Sequence, residues 1–149
     1  MKLEDEIKSE FRDDYHKALV NLYYTNNVIG EQFFKILKEF GLAVPQYNVL
    51  RILRGQAPDA VSIGFIKDRM LERNSDVSRI VDRLYKKKLV ERKENESDRR
   101  QKDVQITQKG SDLLGKMTGC EEQEDANLAK LSKKEVKLLN DLLDKIRSG

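Results

Sequence analysis

Apolar residues along most of this chain recur at helical spacing. Between residues 5 and 40, Phe11, Tyr15, Leu19, Leu22, Ile29, Phe33, Leu37 and Phe40 stand three, four or seven positions apart. That spacing predicts one long helix or two nearly continuous ones. Gly30 falls inside the run as a candidate bend, and Gly41 reads as its terminator. Pro45 fits the first turn of a second helix, where a missing N–H costs nothing. This helix runs to about Arg54 with Tyr47, Leu50 and Leu53 inward, and Gly55-Gln56-Ala57-Pro58-Asp59 breaks it. Residues 60–62 read as a short strand. Ser62 caps a third helix, Ile63 to Leu71, whose apolar side is Ile63, Ile66 and Met70. A fourth helix is expected over 74–88, with Asn74 and Ser75 as cap-type residues. Its Val77, Ile80, Val81 and Leu84 fall at i, i+3, i+4 and i+7.

After this helix the period changes to two. Leu89 to Lys93 and Val104 to Thr107 alternate apolar and polar, and Glu94 to Arg100 between them is polar throughout. This is the pattern of a hairpin with Arg99 and Arg100 at its tip. Thr107 caps a fifth helix carrying Leu113, Leu114 and Met117. The acidic run Glu121 to Asp125 reads as a solvated face or a bend. Ser132-Lys133-Lys134-Glu135 is a capping box opening a last helix, with Val136, Leu139, Leu142, Leu143 and Ile146 as its packing stripe. So long a first helix carries more apolar surface than a small domain covers alone, and a partner chain is the natural cover.

The faces left to solvent carry the chemistry. On helix 74–88, Ser75, Arg79, Asp82, Arg83 and Lys86 project opposite the apolar stripe, with Asp76 and Ser78 on its flanks. Arginine and serine suit the DNA major groove, where a guanidinium grips guanine through two bonds. Asp82 is expected to pair with Arg79 or Lys86, three and four residues away. The net charge is only +3, but residues 51–102 hold 15 Lys and Arg against 9 Asp and Glu, a balance of +6, and the rest carries −3. A basic middle between acidic flanks points to a polyanionic partner.

At 149 residues, 38% hydrophobic and 37% charged, the chain reads as a single helix-rich domain. No run of about 18 apolar residues predicts a membrane span, and the start lacks an apolar signal core, so a cytoplasmic protein is expected. One histidine, His16, assembles no metal cluster or nucleophile–base pair, and no phosphate-cradling glycine loop is present. No catalytic residue, metal site or cofactor is expected. Cys120 neighbours Glu121, Glu122 and Glu124, which favour an inert thiol over a redox sensor.

These residues together resemble one family. Residues 71–89, Val90-Glu91-Arg92, Asp98-Arg99-Arg100 and Thr107-Gln108-Lys109-Gly110 look like the multiple-antibiotic-resistance regulator (MarR) family of winged helix-turn-helix proteins. Residues 44–50 are similar to its entry into the second helix, and Val77 to Leu84 to its recognition helix. The likeness covers roughly residues 10 to 145. Two positions depart from it: Asp76 stands where the family usually has a small hydroxyl or amide, and Lys88 where it mostly has glycine.

The resemblance implies a mainly α fold with a small β-hairpin wing, as one domain over 1–149. Residues 5–41 and 108–147 would form dimerisation helices, and 45–107 the DNA-binding lobe. It implies a homodimeric, sequence-specific regulator on double-stranded DNA, a repressor on a pseudo-palindromic operator that a small aromatic effector would release. Ser75, Ser78, Arg79 and Arg83 would contact bases and phosphates, with Lys86 near the backbone. Arg100 would enter the minor groove, Arg99 would touch phosphate, and Asp98 would hold the wing in shape. Tyr15, Tyr23 and Tyr47 are candidate lining for an effector cleft, and core packing is the competing role for each. The alternative function is a winged-helix protein-interaction module without a specific operator, which Asp76 and Asp82 beside the recognition face would favour.

Overall fold

The computed structural model describes residues 1–149, folded into two compact units: Ile36–Asp125, and Met1–Lys35 with Ala126–Gly149. Eight helices and one hairpin follow in the order α1 (Leu3–Ile7), α2 (Asp14–Glu39), α3 (Val44–Gln56), α4 (Ile63–Arg69), α5 (Val77–Lys86), β1 (Val90–Glu94), β2 (Lys102–Ile106), α6 (Gln108–Lys116), α7 (Thr118–Leu128) and α8 (Lys133–Arg147). No helix is long and apolar enough to cross a membrane.

The core lies in the Ile36–Asp125 unit. Leu37, Leu50, Leu53, Ile66, Leu84, Leu114 and Met117 are almost wholly buried there, with Val49, Val81, Val90 and Val104. Each such side chain contributes roughly 1.5–3 kcal/mol of burial. Helix α3 is central, packing against α4, α5, α6 and β2. The hairpin is antiparallel, with Arg92 opposite Val104, and Val61 adds a short bridge to Val104. The expected strand at 60–62 is thus a single bridge. In the other unit Leu3 is the sole buried hydrophobic residue, while Leu19, Leu22, Leu138, Leu142 and Ile146 remain exposed.

Several predicted boundaries move. Residues 5–40 are not continuous: α1 ends at Lys8, whose φ is +49°, and α2 starts afresh after Asp13, whose carboxylate accepts the His16 N–H at 2.8 Å. Gly30 lies inside α2 without ending it. Helix α3 continues through Gly55 to Gln56, so that glycine does not break it. The fourth helix starts at Val77, and its cap is Asp76, whose Oδ1 accepts the Arg79 N–H at 3.2 Å. The Ser75 hydroxyl instead donates to the Glu72 carbonyl. The caps at Ser62, Thr107 and Ser132 fall where expected, the last with its reciprocal Glu135 bond.

Two helices end in the same left-handed turn. Gly41 has φ +69° after α2, and the Leu42 N–H reaches back to the Leu37 carbonyl at 3.1 Å. Lys88 has φ +62° after α5, and the Leu89 N–H reaches the Leu84 carbonyl at 3.0 Å. A side chain at such a position is strained. Beside the second turn, Gly110 packs so closely that a Cβ would stand 2.4 Å from the Leu89 carbonyl oxygen. Lys88→Gly is therefore expected to raise stability by about 0.5–1 kcal/mol. Gly110→Ala is expected to lower it by about 1–2 kcal/mol, the clash outweighing the better helix former. Urea unfolding of both variants checks the pair, and shifts of the same sign would refute this account of the turn.

Candidate nucleic-acid interface

Helix α5 is built by its apolar stripe. Val77, Val81 and Leu84 are buried and Ile80 half-buried, which turns Ser78, Arg79, Asp82, Arg83 and Lys86 to solvent. The side chains of Arg79, Arg83 and Lys86 have no ion-pair or hydrogen-bond partner in the protein. Ser75 is half-buried and committed to Glu72. Beside this face, Ala43, Pro45 and Gln46 of the α3 entry border a recess of about 320 Å³ that Arg79 and Arg83 also line. Glu72 and Asp76 stand on its rim, and Asp76 is committed to capping.

Asp82 does not pair within its helix. Its Oδ1 accepts from Arg92 of β1 at 2.5 Å, and the Arg92 guanidinium lies over the Tyr85 ring, 4.1 Å from its centre. The pairing braces the hairpin against α5 and neutralises the carboxylate on that face. The geometry wins because Arg92 approaches from a separate strand and stacks as it bonds, whereas an i+3 or i+4 pair has only the helix surface to meet on.

The wing tip is shaped by two side chains. The Asn95 Oδ1 accepts the N–H groups of Ser97 at 2.8 Å and Asp98 at 3.1 Å, while its Nδ2 donates to Asp103. The Asp98 Oδ1 accepts the Arg100 N–H at 3.0 Å, and the Gln101 N–H returns to the Asp98 carbonyl. Arg99 and Arg100 are exposed and make no ion pair. Asn95 is a tip organiser that the sequence pattern did not single out.

The acidic run is neither a bend nor wholly solvated. It lies within α7, and Glu121 accepts from Arg51 at 2.8 Å, Arg54 at 3.4 Å and the Tyr47 hydroxyl at 3.2 Å, joining α7 to α3. Tyr47 is buried, and burial raises its phenol above the usual range, with the Arg51 bond opposing. Tyr15 and Tyr23 lie on α2, exposed by 89% and 65%. Glu124 is raised by burial and by Asp125. Residues so far apart in sequence as Arg51 and Glu121 carry no spacing signal for their meeting.

Helices α3, α4 and α5 followed by a braced hairpin define a winged helix-turn-helix protein. The MarR family model matches residues 40–101. The HTH-type transcriptional regulator MhqR of Bacillus subtilis is 30% identical over 133 residues, covering 87% of this chain and 89% of that protein. The crystal structure of a MarR transcription factor from Planctomyces limnophilus is 29% identical, with a TM-score of 0.70 over 91% of this chain and 98% of that one. A structure of Bordetella bronchiseptica BpsR, described with regulation of its DNA binding by 6-hydroxynicotinic acid, shares the fold at 24% identity and a TM-score of 0.75, covering 95% and 98%. The chain belongs to the MarR family and is a transcriptional regulator, not an enzyme.

Cys120 is half-buried, and its thiol is raised by burial first and then by Glu39, Glu124 and Glu121. The thiolate is the reactive form, so at neutral pH iodoacetamide should alkylate Cys120 in the folded protein more slowly than free cysteine. Alkylation as fast as the free amino acid would overturn the inert reading.

Proposed function

We propose that this protein is a homodimeric repressor that binds a pseudo-palindromic operator through α5 and the wing, acting in the cytoplasm. The observation that carries the reading is the unpaired cationic face of α5. Arg79, Arg83 and Lys86 are exposed without protein partners, and the neighbouring Asp82 is neutralised by Arg92 of the wing strand. Helix α5 of each subunit enters successive major grooves, about 34–36 Å apart. Arg79, Arg83 and Ser78 contact bases and phosphates, with Lys86 at the backbone, while the Ser75 hydroxyl is held by the Glu72 carbonyl. Arg100 reaches the minor groove and Arg99 a phosphate, from a tip held by Asp98 and Asn95. Residues 45–107 form the DNA-binding lobe within a single MarR-type domain.

Dimerisation through residues 5–41 and 108–147 is supported by the exposed apolar side chains of α2 and α8. Within their unit, Leu22, Leu139, Leu142, Leu143 and Ile146 line an open apolar recess of about 350 Å³, of the kind that marks association surfaces. Control by a small aromatic ligand is supported by the likeness to BpsR. The alternative, a protein-interaction module, loses its main support now that Asp76 caps α5 and Asp82 is paired.

Selection of bound duplexes from a genomic pool should recover a pseudo-palindrome with half-sites about one helical turn apart. Arg100→Ala should then weaken that duplex at least about tenfold and flatten the salt dependence, with the dimer still folded. Binding that is indifferent to sequence, or unchanged by Arg100→Ala, would count against the operator and the wing respectively.

A further inference from the structure

Three side chains fill the seam between α5 and the wing strand β1. Ser78, Asp82 and Tyr85 stand at i, i+4 and i+7 on α5, one line along the helix. This line is the flank from which β1 approaches, because Arg92 of that strand reaches Asp82 at 2.5 Å and covers the Tyr85 ring at 4.1 Å from its centre. The stack fixes the ring from one side only. Tyr85 stays 47% exposed, and its hydroxyl meets no group of the protein. Arg92 spends one nitrogen on the carboxylate, and the rest of its guanidinium fork is unused.

Packing does not account for Tyr85. The buried positions of this helix are Val77, Val81 and Leu84, and the tyrosine is held by a surface cation instead. A ring clamped at its body with its polar end in water is an arrangement suited to an interface, where the apolar part fills space and the hydroxyl finds a partner.

The partner follows from position and rests on the DNA-binding reading above. With α5 in a major groove and the wing tip in the adjacent minor groove, the sugar–phosphate strand that separates those grooves crosses the seam between them. A bare Asp82 carboxylate there would repel it. Arg92 cancels that charge and leaves N–H donors over, beside the free Tyr85 hydroxyl. We propose that Tyr85 is a further DNA-binding residue: clamped by Arg92, its hydroxyl donates to a phosphate of the strand between the two grooves. Such a contact sets how deeply α5 enters its groove and reads no base.

The test compares the full-length protein with Tyr85→Phe on the selected duplex, with single neutral methylphosphonates placed at each backbone position of one half-site in turn. Tyr85→Phe keeps the ring beneath Arg92 and removes a hydroxyl that has no partner in the protein, so thermal unfolding should not move. Affinity for the unmodified duplex should fall about threefold per half-site, or about tenfold for a symmetric duplex, as the net worth of one hydrogen bond implies. The sequence selected from a pool should stay the same. A methylphosphonate at the boundary between the two grooves should weaken the wild-type protein, and weaken Tyr85→Phe less, as expected of a coupled pair. Wild-type affinity in Tyr85→Phe, or identical methylphosphonate profiles for the two proteins, would overturn the proposal. A protein that selects no duplex refutes the operator reading and the phosphate contact with it, whereas specific binding that ignores Tyr85→Phe refutes the contact alone.

Discussion

The proposed DNA-reading surface depends on one turn. Between α5 and β1 the chain must reverse within three residues, and Lys88 does so in a left-handed conformation that ordinarily favours glycine. Every neighbour compensates. The Leu89 N–H closes on Leu84, the Thr107 hydroxyl donates to the Lys88 carbonyl at 2.8 Å, and the Thr107 N–H meets the Leu89 carbonyl. Gly110 lets α6 approach that carbonyl where any side chain would collide. The turn sets where β1 begins, and therefore where Arg92 meets Asp82 and how the wing stands against the helix.

From that constraint the division of labour in the molecule follows. The Ile36–Asp125 unit owns nearly all the buried hydrophobic side chains and can hold its arginines rigidly on a packed helix. Rigid presentation matters because contacts to bases discriminate only when the guanidinium arrives in a fixed orientation. The other unit buries almost nothing apolar by itself, and its leucines and isoleucines remain at the surface. A helix pair with that profile relies on packing of its apolar faces for most of its stability, in keeping with the proposed dimer. Polar pairs do the fine positioning: Asp82 with Arg92, Asn95 with Asp103, and Glu121 with Arg51 each tie together elements that packing alone leaves free to slide.

Helical spacing was enough to place most elements, because an apolar stripe of period 3.6 and a cap such as Ser62, Thr107 or Ser132 act locally. The cationic face of α5 and the arginine tip were legible for the same reason, since burial of Val77, Val81 and Leu84 dictates what points outward. Less legible was the choice among adjacent cap candidates. Asn74, Ser75 and Asp76 are all competent, and the backbone turn at Glu72 recruited Ser75 and left Asp76 to cap. The run of residues 5–40 likewise looked continuous, because a stripe persists across a short break that only the Asp13 cap and the left-handed Lys8 reveal.

What the sequence by itself determined is therefore most of the elements, their inward faces and the concentration of positive charge between residues 51 and 102. The tertiary structure alone decided who meets whom across those elements. Asp82 finds Arg92 ten residues away instead of its helical neighbours, and Glu121 gathers Tyr47, Arg51 and Arg54 from some 70 residues upstream. Such pairings depend on the relative placement of rigid elements, which is set by the packing of the whole core, whereas periodicity reports only which side of each element enters it.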